Sequence, residues 1–360
     1  MKHLLFSMGA ATLLLVGCGQ SNGAKSEKAG SATTPAAGNA VWAAGSSTVF
    51  PFATRVAENV GRSTGGAAAR VESLGTGGGF KLFCNGLGAG SPDVANASRP
   101  IKKSEWDACQ AAGVTEIIEI KVGYDGIVVA NDKKGAAYNL TLGQLYKALA
   151  AELPKGAASA PNPAKAWSDV DRALPKDRIL VYGPPPTSGT RDAFVELGLE
   201  AGAKTLPQLK ALKESDEEAF KARAHRIRSD GAWVDSGEND NAIIQTLTKT
   251  PGSLGVFGYS FLDNNMDKVK AARIDGVGPS MATIADGSYP LARSLYIYVK
   301  KANLATKPGL RDFMNGFVSD AASGKGGYLL QRGLIPLSDA EREAQKLVVK
   351  EMTTMKAPAS

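Results

Sequence analysis

Short apolar runs of strand length alternate with longer segments of helical pattern along most of the chain. Runs at residues 41–44, 71–74 and 93–97 are each followed by a segment that predicts a helix. The same pattern predicts further strands at 117–122, 126–130, 179–182, 255–259 and 294–300. It predicts helices at 49–61, 103–112, 140–150, 193–203, 206–225, 242–247, 310–318 and 338–352, with Ser104 as the cap of the second of these, and a Pro/Ala-rich loop at 153–162. This alternation predicts an α/β fold with mainly parallel sheets.

The turns that follow the first three strands share one composition. Residues 45–48, 75–79 and 98–100 are rich in Ser, Thr and Gly, and two of these turns lead directly into predicted helices. In α/β sheets ligands sit beyond the carboxyl ends of the strands, and helix N-termini attract anions. The recurrence therefore predicts one shared anion site at this edge of the sheet.

A fourth turn carries the strongest local signal. Residues 188–192 read Ser-Gly-Thr-Arg-Asp and stand between a predicted strand and a predicted helix. They offer backbone N–H groups, two hydroxyls and the planar guanidinium of Arg191, which suits a tetrahedral oxyanion. Taken alone, the stretch fits an ordinary helix cap equally well, with Ser188 or Thr190 as the capping residue.

The first forty residues have the pattern of an exported and anchored protein. A basic head, Lys2-His3, precedes an apolar stretch at 4–16 that is too short to cross a bilayer but fits a secretory signal. The sequence Leu-Val-Gly-Cys at 15–18 resembles a bacterial lipobox, which implies a signal peptide at 1–17 and a lipid on Cys18. A plain signal peptide with a chance cysteine is the alternative. Residues 18–40 predict a flexible tether.

Charge and cysteine content narrow the classes of function. The net charge of +7 is mild and dispersed, so it favours small anions over nucleic acid. If Cys18 carries lipid, Cys84 and Cys109 remain and predict a disulfide outside the cytoplasm, with two free buried thiols as the alternative. The only histidines are His3 and His225, so we expect no metal site and no cofactor.

Five motifs in order resemble those of the periplasmic phosphate-binding proteins of bacterial ABC importers. The resemblance covers residues 41–350 and rests on the segments 45–51, 75–78, 97–102, 182–194, and 237–241 together with 251–258. It implies a type 2 periplasmic-binding-protein fold, with two α/β lobes joined by hinge crossovers and the ligand in the cleft. Lobe 1 would combine 41–122 with 290–350, lobe 2 would hold 123–289, and 351–360 would be a tail.

The resemblance also implies a set of phosphate ligands. By position these are Ser47, Thr48, the N–H of Val49, Thr76, Ser98, Arg99, Ser188, Gly189, Thr190 and Arg191. Two departures stand out, because Pro184 replaces an arginine and Arg99 replaces an aspartate that accepts the proton of bound phosphate. We expect Asp125 or Asp240 to supply the missing acceptor. Asp192 is a weaker candidate, because it stands in the first turn of its helix.

The resemblance implies a receptor rather than an enzyme. It would capture inorganic phosphate in the periplasm or cell envelope as a lipid-anchored monomer and deliver it to the permease and ATPase subunits of an ABC importer. A receptor for another oxyanion or an organophosphate is the main alternative. A serine hydrolase built on Ser188 is a distant one, since only His225 could act as its base.

Overall fold

The predicted alternation of strands and helices is present in the computed structural model, which describes residues 40–156, 158–237 and 239–358. The strands are β1 Trp42–Gly45, β2 Arg70–Ser73, β3 Val94–Ala97, β4 Ile117–Asp132, β5 Asn139–Leu140, β6 Glu152–Lys155, β7 Ala158–Pro161, β8 Val181–Gly183, β9 Trp233–Asp235, β10 Leu254–Gly258, β11 Val269–Ala271, β12 Arg273–Ile274 and β13 Ala292–Lys300. The helices are α1 Phe50–Thr64, α2 Gly75–Phe83, α3 Lys103–Ala111, α4 Leu142–Leu149, α5 Trp167–Val170, α6 Gly189–Phe194, α7 Ala201–Ala203, α8 Pro207–Ser215, α9 Glu217–Ala224, α10 Asp240–Lys249, α11 Tyr259–Asp263, α12 Met281–Ala285, α13 Gly309–Val318, α14 Asp320–Ser323 and α15 Asp339–Glu351.

The main sheet is mixed rather than mainly parallel. Its strand order is β2-β1-β3-β13-β4-β10-β8-β9, and β11 adds to β4. Strands β1, β2 and β3 are parallel, as are β8, β9 and β10, but β13 and β4 in the middle run antiparallel to their neighbours. The prediction of parallel sheets is therefore right for the two ends and wrong for the centre, where two long strands join the parallel parts.

Strand β4 is continuous where the sequence predicts a break at residues 123–125. Gly123, Tyr124 and Asp125 pair with residues of β13, and the register slips once, between Leu295 and Tyr296. The Tyr124 N–H donates to the Ile335 carbonyl at 2.8 Å, and the Tyr124 carbonyl accepts the Ile335 N–H at 3.0 Å. Because β13 on one side and Ile335 on the other satisfy this backbone, no turn forms. One strand thus carries residues 117–122 beside β13 and residues 127–130 beside β10.

Three other local predictions are wrong for identifiable reasons. Residues 153–162 form most of the hairpin β6–β7 instead of a loop. The helix predicted at 206–225 is split into α8 and α9, because the Asp216 carboxylate accepts the Ala219 N–H at 2.9 Å and starts a new helix. Helix α3 is closed at its start by the Glu105 carboxylate, which accepts the Lys102 N–H at 2.9 Å, and not by Ser104.

The buried apolar side chains form three clusters. The largest draws almost entirely on residues 124–291, with Trp167, Phe194 and Phe220 fully enclosed. The other two draw on residues 41–122 and 295–352. Each enclosed large side chain stabilises the fold by roughly 1.5–3 kcal/mol relative to exposure, so each end of the sheet has its own core.

The predicted disulfide is confirmed. Cys84, directly after α2, is bonded to Cys109 of α3. The signal peptide, the tether and Cys18 lie outside the described residues. In the described part of the chain, no helix is both long and apolar enough to cross a membrane.

Candidate functional site

The turn after β1 is shaped by a glycine. Gly45 has φ +143°, and a Cβ there would lie 2.1 Å from the Asn96 carbonyl oxygen of β3. The Ser46 N–H donates to that same carbonyl at 2.8 Å. Helix α1 follows at Phe50, with Pro51 in its first turn, where a missing N–H costs nothing. The chain therefore places Ser47 and Thr48 at the positive end of α1.

The turns after β2 and β3 are joined by their hydroxyls. The Thr76 and Ser98 hydroxyl oxygens are 3.1 Å apart, and the Ser98 N–H donates to Thr76 Oγ1 at 3.2 Å. Thr76 lies in the first turn of α2, and Ser98 directly follows β3. Since β1, β2 and β3 are parallel neighbours, these hydroxyls lie at the same edge of the sheet as Ser47 and Thr48.

The fourth turn packs directly against the first. The Thr48 hydroxyl donates to the Gly189 carbonyl at 3.3 Å, and the Ser47 hydroxyl donates to Asp192 Oδ2 at 2.6 Å. A Cβ on Gly189 would lie 2.9 Å from the Ser47 carbonyl oxygen, so only glycine allows this approach. Ser188 caps α6, and its Oγ accepts the Thr190 N–H at 3.2 Å. Ser188 is therefore a helix cap, and the fourth turn also contacts the first turn.

Arg293 of β13 contacts the first of these turns. Its Nη2 donates to the Thr48 hydroxyl at 2.6 Å, and its Nη1 contacts Glu196 at 2.5 Å. Its Nε lies 3.6 Å from Asp125 Oδ2 on the paired strand β4, which is too long for a hydrogen bond. Within the described residues, both this Nε and this Oδ2 are buried without a hydrogen-bond partner.

Two carboxylates of this region, Asp125 and Asp240, are largely withdrawn from solvent. Burial raises the pKa of Asp125, and the Arg293 charge opposes that rise. Asp240 begins α10, is 7% exposed, and its Oδ2 accepts the Gly258 N–H at 3.0 Å. Burial, reinforced by the Asp125 charge, raises the pKa of Asp240 to about 6 against the opposing pull of that N–H. Both candidate acceptors therefore sit where the charged form is costly.

The two arginines expected from the sequence face other partners. Arg99 holds Glu105 with both terminal nitrogens, at 2.8 and 2.7 Å. Arg191 donates to the Pro184 carbonyl at 3.0 Å and to Asp235 at 2.8 Å, and its guanidinium lies over the Trp233 ring. Each guanidinium is neutralised by a carboxylate outside the group of turns. These ion pairs therefore oppose the predicted role of Arg99 and Arg191 as the cations of the site.

Most of the predicted ligand set does come together at one edge. Ser47, Thr48 and Gly189 contact each other or adjacent residues, and Thr76 contacts Ser98. The Val49 N–H points to the Ser46 hydroxyl at 3.4 Å. Asp125 lies inside a strand rather than in a turn.

The sequence predictions do not include Arg293, and they give Asp192 a role in its own helix. A residue in the first turn of a helix normally serves that helix, which makes Asp192 the weaker candidate acceptor. Instead its carboxylate accepts the Ser47 hydroxyl of another turn. The available signal for Arg293 was a single basic residue at the start of an otherwise apolar strand, just after the predicted crossover near residue 290.

The groups needed for hydrolysis are not assembled around Ser188. His225 Nε2 pairs with Glu200 at 3.1 Å, next to the C-terminal end of α9. In the described part of the chain, no group of three or more His, Cys, Asp or Glu side chains is arranged to hold a metal ion. The site is therefore a collection of hydrogen-bond donors around one arginine and two carboxylates.

A family model, curated relatives and a solved structure each match most of this chain. A family model described as a PBP superfamily domain matches residues 29–321. Protein SphX from Synechococcus elongatus is 32% identical over 303 residues, which is 82% of this chain and 77% of that protein. Phosphate-binding protein PstS from Staphylococcus saprophyticus is 32% identical over 326 residues, which is 89% of this chain and 86% of that protein.

A solved structure agrees with the sequence relatives. The crystal structure of a possible phosphate binding protein from Planctomyces limnophilus has a TM-score of 0.69 and 30% identity, and it covers 87% of this chain and 98% of that one. With the family match over most of the chain and the α/β sheet described above, these similarities fix the family. The chain belongs to the PBP superfamily and has its periplasmic-binding-protein-like fold.

Proposed function

We propose that this protein binds inorganic phosphate outside the cytoplasm and delivers it to the membrane subunits of an ABC-type importer. One observation carries the proposal: Arg293 Nε and Asp125 Oδ2 are a buried donor and a buried acceptor, 3.6 Å apart, and neither has a hydrogen-bond partner among the described residues. Buried polar atoms are nearly always hydrogen-bonded, so this pair matches a ligand that both accepts and donates. The relatives named PstS are phosphate-binding proteins, which supports the same ligand.

Hydrogen phosphate has the required chemistry. Its charged oxygens accept from Arg293, from the hydroxyls and from the N–H groups at helix starts, and its single P–OH donates to Asp125. Sulfate has no proton to donate at neutral pH. One of its oxygens would face the Asp125 carboxylate, so a buried pair of acceptors would repel each other. The proposal therefore assigns the discrimination between these anions to Asp125.

The proposed phosphate ligands are chosen from the side-chain contacts seen in the structure. Arg293 replaces Arg99 and Arg191 as the cation, because its Nε has no hydrogen-bond partner among the described residues, whereas the other two guanidinium groups are bound to carboxylates outside the group of turns. Arg191 instead holds the fourth turn in place through Pro184 and Asp235. The remaining phosphate contacts are proposed to come from Ser47, Thr48, Val49, Thr76, Ser98, Ser188, Gly189 and Thr190.

Capture requires the cleft to open and close. We propose the two lobes expected from the sequence, 41–122 with 290–350 and 123–289, as the moving bodies, supported by the separate hydrophobic clusters at the two ends of the sheet. The hinge would lie where β4 and β13 cross from one cluster to the other, next to Asp125 and Arg293. Binding at the hinge would couple phosphate contacts to closure.

The proposed setting is the periplasm or cell envelope. A lipid on Cys18 and the tether at 18–40 would hold a monomeric receptor near the permease. The Cys84–Cys109 disulfide supports an oxidising compartment. Substitution of Cys18 by serine should abolish incorporation of labelled fatty acid and release the protein from membranes. Unchanged labelling would contradict the anchor.

Calorimetric titration tests the ligand. Any anion retained during purification is removed by partial unfolding, and the refolded protein is titrated with phosphate and then with sulfate. We expect saturable one-to-one binding of phosphate and no heat from sulfate. No response to phosphate would overturn the ligand, and arsenate, molybdate and a phosphate monoester would then test the alternative oxyanions. The same titration is repeated with the variant Arg293→Lys. Its matched control is Arg311→Lys, which changes an exposed arginine of α13.

A further inference from the structure

The anion site carries an unusual excess of negative charge before any anion enters. Asp240 is buried, and the side chains of Arg293 and Asp125 are only 9% and 14% exposed. Glu196 and Asp192 add carboxylates at the border of the site, on Arg293 and on the Ser47 hydroxyl. A phosphate dianion would bring two further negative charges, and uncompensated buried charge is expensive. Helix N-termini offset part of this excess.

Asp240 is placed close to Asp125 by the sheet. Its Oδ2 is fixed by the Gly258 N–H at the end of β10. Gly258 pairs with Ile127 of β4, only two positions beyond Asp125. Asp240 is therefore held rigidly beside the carboxylate that the proposed function assigns to phosphate recognition.

Resting on the proposed function, we infer that Asp240 is a second carboxylate of the phosphate site and that it takes up one proton from solvent when the dianion binds at pH 8. The proton of HPO₄²⁻ stays on the phosphate and is donated to Asp125. The additional proton goes to Asp240 Oδ1, because Oδ2 keeps its hydrogen bond from Gly258. The complex thus contains the receptor, HPO₄²⁻ and one proton from solution, and the carboxyl group becomes a hydrogen-bond donor.

The charges around Asp240 support this assignment. Asp125 faces it from β4 and the Gly258 N–H from β10, while Arg293 on β13 and Glu196 act on Asp125. With its pKa at about 6 in the free protein, Asp240 is ionised at pH 8. A dianion beside it raises that pKa further, which favours the protonated form in the complex. Affinity should therefore fall as pH rises from 8 to 9, by up to about tenfold for one proton.

Phosphate itself does not produce this fall, because free phosphate is already mostly the dianion at pH 8. The variant Asp240→Asn isolates the effect, since its amide oxygen can still accept the Gly258 N–H. Asp312→Asn changes an exposed carboxylate of α13 and serves as the control.

The test is titration with inorganic phosphate at pH 8 in two buffers that differ in ionisation enthalpy. We expect the unmodified protein and Asp312→Asn to take up close to one proton per phosphate. Asp240→Asn should bind one-to-one, take up close to none, and keep its affinity between pH 8 and 9. Equal proton uptake with and without Asp240, or no uptake by the unmodified protein, overturns the inference while phosphate binding stands.

Two other outcomes have clear meanings. If the unmodified protein does not bind phosphate at all, the proposed function fails, and the inference fails with it. If Asp240→Asn does not fold by circular dichroism, Asp240→Ser repeats the test, because a serine hydroxyl can also accept from Gly258. Proton uptake that persists in the serine variant overturns the assignment.

Discussion

Two arginine–carboxylate pairs in this protein look alike in the sequence but differ in their surroundings. In the disulfide segment, residues 75–111, Arg99 holds Glu105 with two short hydrogen bonds, and Glu105 also closes the start of α3. In the crossover pair, Arg293 lies 3.6 Å from Asp125, and one buried atom on each side has no partner among the described residues. The first pair is complete in itself, whereas the second has hydrogen-bonding capacity left for a ligand.

This difference leads to separate expectations for stability and for phosphate affinity, which experiments can test. Removal of the disulfide or of the Arg99–Glu105 pair should lower the free energy of unfolding and leave phosphate affinity nearly unchanged, because neither includes the proposed ligands Thr76 and Ser98. Changes in the crossover pair should lower affinity or selectivity by more than they lower stability. Four substitutions test these expectations, two in each region.

Loss of Arg293 should have the largest effect. Arg293→Met removes the buried cation of the site, and truncation of one partner of a buried, hydrogen-bonded charge pair costs roughly 2–5 kcal/mol. We expect phosphate affinity to fall by about 100-fold or more, as measured by calorimetry. Arg293→Lys should recover part of the loss, because it keeps the charge but not the planar fork.

The control for Arg293 is Arg191→Lys. Arg191 is held by Asp235 and the Pro184 carbonyl, so its substitution should change phosphate affinity only a few-fold. If Arg191→Lys weakens binding as strongly as Arg293→Met, the cation of the site has been assigned to the wrong residue.

Removal of the disulfide should have the next largest effect. Cys84 and Cys109 are 25 residues apart, and in the chain-entropy model a loop of this size contributes roughly 3 kcal/mol to stability. The double variant Cys84→Ser/Cys109→Ser should lower the free energy of unfolding by about that amount in urea denaturation. Phosphate affinity at a temperature where the variant is folded should stay within a few-fold. A large loss of affinity there would show that the segment shapes the site directly.

Asp125→Asn should change selectivity more than stability. The amide keeps one neutral acceptor oxygen and gains an N–H donor, so the P–OH has a weaker partner while a fully ionised oxyanion gains a donor. We expect phosphate affinity to fall by about tenfold, close to 1.4 kcal/mol, and sulfate binding to become measurable. Competition between the two anions, followed by calorimetry, measures the ratio. Unchanged selectivity would move the acceptor role to Asp240 or Asp192.

The parts of the site that could be predicted are local in sequence. The turns containing Ser47, Thr76, Ser98 and Ser188 each carry their own signal, because a hydroxyl or glycine at a strand end is visible in a few residues. The order of strands and helices and the disulfide were predictable for the same reason. The Ser188 cap could also be read directly, since Ser188 and the Thr190 N–H are two residues apart.

The parts that were missed depend on contacts between distant segments. Arg293 meets Asp125 only because β13 and β4 pair, and no motif records that register. Arg99 and Arg191 lie within recognisable motifs, but the directions of their side chains are set by Glu105 and Asp235. The continuity of β4 through Gly123 has the same origin, since the neighbouring segments on both sides satisfy a backbone that the sequence alone would bend.

The smallest expected effect is that of Arg99→Gln. The guanidinium of Arg99 is about one-third exposed, with 32% of its side chain accessible, so solvent screens its pair with Glu105. Such pairs contribute about 0.2–1 kcal/mol, and glutamine keeps one hydrogen bond to the carboxylate. We expect urea denaturation to show a loss of about 0.5 kcal/mol, with phosphate affinity unchanged within the error of calorimetry. Because Arg99 stands directly after Ser98, a marked loss of affinity would mean that its guanidinium leaves Glu105 for the anion when the cleft closes, and the distinction between the two pairs would no longer hold.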